Sequence, residues 1–284
     1  VLVTRVVSGA FTAATGSTTA ADSSAPSPFT LRTLGKGTIF NSDGTTNADG
    51  SLVTGSADSL RYEVANINDA DGTFSILVRR GDDNTNGKII LETFNDLSLD
   101  PNSTNYIEKV IGNQTKSKTS DGGSGYYLAT VGEYPNRSRY IRVSDVNQTL
   151  NYIGNDGVTV GSDANGSYSG SLPSAQQGTF VGATGENGTG NFFGDITDSD
   201  TQGLAGTDYA DAIGLLENKD EYLFNIVSAP GLVYNFGTHK TQIDSIISLA
   251  QNRGDAIAVI DTQAYGANVP NVTATAQTVN NSYA

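Results

Sequence analysis

Side chains able to do chemistry are few in this sequence. It has one histidine, His239, and no cysteine among 284 residues. Thiolate catalysis, disulfides and cysteine metal sites are excluded, as is any multi-histidine metal site. A nucleophilic triad would need His239, with Asp244 as orienting acid and Ser228 as nucleophile, but no GxSxG elbow accompanies them. His239 reads instead as a surface residue in the first turn of a helix. A phosphate loop would show GxxxxGK[ST] or GxGxxG between strand and helix, and neither occurs. The glycine-rich GATGENGTG at 182–190 reads as turn chemistry. Asp261 could be a catalytic carboxylate, although a polar residue ending a buried strand is the simpler reading.

The aspartate-rich turns NSDGTTNADG (41–50), NDADG (68–72) and DITDSD (195–200) lack calcium-loop spacing and read as turn formers. The N-x-[ST] triplets at Asn113 and Asn147 arise by chance in a chain rich in Asn and Thr. Two distant carboxylates could converge for glycoside hydrolysis, but there is no tryptophan for sugar stacking. The sequence nominates no catalytic, cofactor-binding or metal-ligating residue. The expectation is a protein that is not an enzyme and uses no cofactor.

The chain is long enough for two ordinary domains. Apolar residues make up 37%, and 33 glycines favour a β-rich, loop-rich architecture over a helical bundle. A formal charge of −14 disfavours bare nucleic acid and anionic membranes as partners. No stretch approaches the roughly 18 consecutive apolar residues of a spanning helix, and no signal peptide is visible.

Hydrophobic periodicity supplies the elements. Val1–Val7 reads as a strand, and residues 8–29, small, polar and broken by Pro26 and Pro28, as an exposed connector. Leu60, Tyr62 and Val64 alternate with Arg61, Glu63 and Ala65, the period of a half-buried strand. NDADG then turns into a hairpin over 74–94, with Phe74, Ile76 and Val78 on one face and Ile90, Glu92 and Phe94 sharing another. The three strands form an antiparallel meander. Asp100-Pro101 starts a short helix whose Ile107, Val110 and Ile111 form one apolar stripe. Residues 112–137 lose the pattern, and Tyr140–Val143 returns as a strand. Residues 154–206 are either short surface hairpins or mobile; composition does not decide.

From 207 the pattern changes. TDYADAIGLLEN reads as a helix N-capped by Thr207 or Asp208, with Ala212, Leu215 and Leu216 inward. EYLFNIVSA reads as a strand covered on both faces, PGLVYNFG as a loop, 239–251 as a helix, and DAIAVIDT as a second buried strand. That order implies a parallel β-α-β unit. The expected fold is mixed α+β and α/β: a β-rich antiparallel domain with a short packing helix, plus a β-α-β portion. The expected blocks are 1–30 (strand and connector), 31–206 (β-rich outer domain with long loop insertions) and 207–284 (α/β portion).

Taken in order, FSILV, ETFNDLSLDPNSTNYIEKVI and NRSRYIRV resemble the β-rich middle region of bacteriophage contractile tail sheath proteins. The matching positions are Phe74, Ile76, Val78, Glu92, Phe94, Leu97, Ser98, Pro101, Tyr106, Ile107, Val110, Ile111, Tyr140, Ile141 and Val143. VLVTRVV, LLENKDEYLFNIVSAPGL and RGDAIAVIDT are similar to the family's preceding strand and its α/β part. The sequence departs from that pattern at the insert 112–137 and at 154–206. The resemblance implies a structural subunit that stacks as hexameric rings around a tail tube, contacts neighbouring subunits, tube and baseplate, and contracts to drive the tube through the host envelope. It implies a place in the virion after synthesis in the host cytoplasm. It further implies that this stretch is a fragment without the family's N-terminal arm and C-terminal domain, monomeric by itself. The competing reading is a viral surface module that binds carbohydrate or a receptor, with an enzyme third.

Overall fold

The computed structural model describes residues 12–120, 122, 126–148, 172–184 and 206–284. The strand expected at Val1–Val7 lies outside them, as do most of 154–206 and the DITDSD turn. The fold is mixed, with an antiparallel β-rich part and a parallel β-α-β part. The chain divides into two compact units that interleave in sequence: one holds 11–115 and 130–185, the other 1–10, 116–129 and 186–284. This differs from three consecutive blocks: residues 11–30 join the β-rich unit, and 116–129 leave it for the other.

Two antiparallel sheets build the β-rich unit. The first contains β1 (Ala13–Ser17), β2 (Thr30–Lys36) and β8 (Ile141–Ser144), in the order β1-β2-β8. The second contains β3 (Leu60–Asn68), β4 (Thr73–Arg80), β5 (Ile90–Ser98) and β9 (Gln176–Thr179), in the order β5-β4-β3-β9. The expected meander is present, with Tyr62 opposite Val78 and Ile76 opposite Phe94. Leu60, Tyr62, Val64, Phe74, Ile76 and Val78 all point into one core, as alternation requires. Residues of both sheets share that core: Phe29 and Leu31 from one side, Phe74 and Ile76 from the other, with Phe29 and Phe74 stacked at 5.5 Å. Each such apolar side chain contributes about 1.5–3 kcal/mol by leaving water.

Residues 8–29 are not a connector throughout. β1 occupies part of that span, Ala14 is buried, and Phe29 is sealed in the core. The small residues are required there because Tyr62 lies across them. A Cβ on Gly16 would stand 2.7 Å from Tyr62 Cε1, and one on Gly178 of β9 would stand 2.2 Å from Tyr62 Cζ. β9 falls within the stretch that composition left undecided.

The helix at Asp100-Pro101 starts later than expected. Residues 100–106 are turns, held by Asp100 Oδ1 accepting from Asn102 N and Ser103 Oγ accepting from Asn105 N. These side-chain bonds compete with helical ones, so α1 spans only Ile107–Ile111. Ile107 and Ile111 still close the core, with Val110 partly buried against it. The insert 112–137 contains a hairpin, β6 (Thr115–Ser120) with β7 (Tyr126–Val131), and residues 116–129 belong to the second unit.

In the second unit α2 spans Gly206–Leu216, so Thr207 and Asp208 lie within it rather than before it. Tyr209 and Ile213 pack on the unit's core, while Ala212, Leu215 and Leu216 are only partly buried. β10 (Ile226–Val233) pairs in parallel with β11 (Ile257–Asp261), and α3 (Gly237–Arg253) connects them. α3 buries Ile243, Ile246, Ile247 and Ala250 as the spacing predicts and ends at Gly254 in the left-handed region. β10 starts five residues later than expected and runs through Pro230-Gly231, where its register against β11 shifts. Among the described residues nothing covers the second face of these strands. Val227, Ala229, Ala258 and Ile260 meet the core, whereas Ile226, Ile257 and Val259 are 66%, 55% and 54% exposed on the other side. A continuous apolar run does not reveal whether its second face has a partner. α4 (Val269–Val279) follows, N-capped by Asn268, which accepts from Asn271 N.

Candidate functional site

The most elaborate polar arrangement lies on the face of β3 and β4 turned away from the core. Alternation sends Arg61, Glu63 and Arg79 to that face, and the antiparallel register sets Arg61 directly opposite Arg79. Two facing guanidinium groups repel unless an anion separates them. Asp83, from the turn after β4, supplies it. Its carboxylate accepts Arg79 Nε at 2.7 Å, Arg79 Nη2 at 2.9 Å, Arg61 Nη1 at 3.1 Å and the Ile89 amide at 3.0 Å. Glu63 accepts from Arg79 Nη1 at 2.8 Å and Lys88 Nζ at 2.9 Å, and Gln177 Oε1 of β9 accepts from both arginines at 3.1 Å. The Arg79 and Asp83 side chains are wholly buried.

Burial holds the Arg61 guanidinium below its ordinary value, the like charge of Arg79 adds to that, and Asp83 and Glu63 oppose it. Arg61 Nε is the one buried side-chain nitrogen or oxygen among the described residues without a hydrogen-bond partner. Every carboxylate oxygen of Asp83 is thus committed to a donor of the chain itself. The cluster has no free acid, base or nucleophile to offer a substrate. What it does is mechanical: it clamps the loop 81–89 and β9 onto the sheet.

The residues singled out by sequence are not brought together. His239 is in the first turn of α3 but fully buried, not at the surface. Its ring meets Phe236 edge-on at 5.2 Å, and its Nδ1 accepts the Val233 amide at 3.1 Å. A triad needs Nδ1–H donating to a carboxylate; here that nitrogen is an acceptor. Asp244 pairs with Lys240 at 2.5 Å, one turn along the same helix. Ser228 lies inside β10 on its exposed face, and Asp261 is the exposed last residue of β11.

The described aspartate turns are Asx turns. Asp43 Oδ1 accepts Thr45 N, Asp49 Oδ1 accepts Ser51 N, and Asn68 Oδ1 accepts Ala70 N. Among the described residues no three His, Asp or Glu side chains converge to hold a metal, and no helix is long and apolar enough to cross a membrane. Most of GATGENGTG lies outside the described residues.

The motif positions form a coherent set. Phe74, Ile76, Val78, Leu97, Tyr106, Ile107, Ile111, Ile141 and Val143 belong to one buried cluster, with Phe94, Val110 and Tyr140 against it. Glu92, the polar member, accepts Ser138 Oγ at 2.5 Å and the Arg139 amide at 2.9 Å, tying β5 to the approach of β8. No protein-family model matches the chain, and no curated protein matches it.

Sequence reasoning missed the Arg61–Arg79–Asp83 cluster. Its only linear trace is that Arg61 and Glu63 alternate with apolar residues in β3 and that Arg79 stands near the end of β4, with Asp83 just past it.

Proposed function

We propose that this chain forms part of a structural subunit of a bacteriophage contractile tail sheath. The observation that carries this reading is that the residues bearing the resemblance pack into one core, locked from outside by a buried ionic clamp. A sheath subunit must keep its shape while its contacts with neighbours are exchanged, which is rigid-body motion between two packings. Heterologous contacts repeated around and along an axis then generate a tube. Such a role calls for stiffness and a soluble outer surface, and a formal charge of −14 suits the second need. Its partners are neighbouring subunits, the tail tube and the baseplate, its place is the virion, and the described chain by itself is monomeric.

The test is to express the intact protein that carries this sequence and examine it by negative-stain electron microscopy. Cross-striated hollow tubes built from six-membered rings support the reading. A soluble monomer at all concentrations, coupled with reproducible signals on a glycan array, replaces it with a carbohydrate-binding module.

A further inference from the structure

The β-rich unit contains two arginine pairs set directly opposite each other across antiparallel strands, and it treats them differently. Arg61 and Arg79 enclose the buried Asp83. Arg32 of β2 and Arg142 of β8 are also register partners, so their Cβ atoms are about 5 Å apart. Arg32 donates from Nε to Ser144 Oγ at 3.0 Å and from Nη1 to Thr15 Oγ1 at 3.4 Å. Its nearest carboxylate, Asp145, is only a 3.5 Å contact and largely exposed. Among the described residues, the half-buried Arg142 side chain makes no hydrogen bond and no ion pair. Burial holds its guanidinium below the ordinary value, the charge of Arg32 adds to the effect, and Asp145 opposes both in part.

We propose that the Arg32–Arg142 pair is a binding site for a carboxylate presented by another protein surface. The comparison within the chain shows what such a pair requires: between Arg61 and Arg79 the required group is a carboxylate. Charge selects the ligand further. Two guanidinium groups beside one carboxylate leave a single net positive charge, which a singly charged carboxylate balances and a phosphate dianion overshoots next to Asp145. Guanidinium forks match the two oxygens of a carboxylate, and the hydroxyls of Thr15 and Ser144 border the site. With 30 acidic residues against 16 basic ones, another copy of this chain held beside it in an assembly presents such a surface, although the chain by itself is monomeric. The assignment goes beyond the sheath reading and does not rest on it.

The experiment follows the Nε–Hε resonances of Arg32 and Arg142 in the ¹⁵N-labelled chain. The titrants are a blocked Asp-Glu-Asp-Glu peptide, inorganic phosphate and potassium chloride at equal ionic strength. The peptide should produce saturable shifts at both arginines, with phosphate weaker. Arg142→Gln should weaken peptide binding about 10- to 100-fold, the share of one charged hydrogen-bonded pair. Arg142→Lys, which keeps the charge but loses the fork, should fall between.

Because the pair is repulsive when empty, Arg142→Gln should melt at the same temperature as the parent or higher. Three results overturn the proposal: peptide shifts no larger than those from chloride, tighter binding of phosphate than of peptide, or a lower melting temperature for Arg142→Gln. The last would make Arg142 a structural residue.

Discussion

Replacing Asp83 with alanine removes the anion that two buried guanidinium groups share. Four hydrogen bonds disappear, from Arg79 Nε and Nη2, Arg61 Nη1 and the Ile89 amide. Removing one partner of a buried ion pair costs about 3–5 kcal/mol, because the surviving charge stays buried without compensation. Here two charges survive, of which only Arg79 keeps another carboxylate, Glu63. The middle of that range, about 4 kcal/mol, is the expectation, since Gln177 still accepts from both arginines.

Native-state hydrogen exchange with mass spectrometry reads the two units separately. In Asp83→Ala the protected amides of β3 and β4 should exchange about a thousandfold faster, since each 1.4 kcal/mol is tenfold, while those of α3 and β11 keep the parent rate. Asp83→Asn should lose nearly as much, because shape is kept but charge is not. An acceleration under about tenfold, or an equal one in both units, would refute the view that this cluster clamps the β-rich unit.

Burial pushes the Tyr62 phenol up to about 12, so the folded unit holds its proton where the unfolded chain has lost it. That contribution is intact below pH 10 and is lost as pH rises from about 10 to 12, up to about 3 kcal/mol, visible as a falling urea midpoint absent in Tyr62→Phe. Gly178→Ala drives a methyl into the Tyr62 ring and should cost about 1–3 kcal/mol or more; an unchanged melting curve would contradict the packing of β9. Arg253 is buried in the second unit and donates to the carbonyls of Leu216 and Tyr222 and to Asp255. Arg253→Ala should therefore destabilise that unit alone by about 2–4 kcal/mol, with Arg253→Lys a poor rescue because one ammonium cannot span those acceptors.

The strands β3, β4 and β8 and the helix α3 were legible because each carries a strong period of large apolar residues against polar ones. β1 and β9 were not, because Gly16 and Gly178 lie where the Tyr62 ring leaves no room for a Cβ, and small residues carry no hydropathy signal. The turns at 100–106 were misjudged since Asp100 and Ser103 capture backbone amides that a helix would have used. The burial of His239 was hidden for a similar reason: its value lies in one acceptor nitrogen facing Val233, six residues back. Neither arginine pair could be seen in a single strand. Whether Arg61 meets Arg79, or Arg32 meets Arg142, depends on register, which only the folded sheets establish.

The central claim is that the β-rich unit moves as one undeformed block when a sheath contracts. Cryo-electron microscopy of particles carrying the intact protein, before and after contraction, measures this directly. Density for residues 12–115 should decorate the tail in both states and superpose as a single rigid body while its neighbours change. Refolding within that block, or its absence from the tail, would contradict the account.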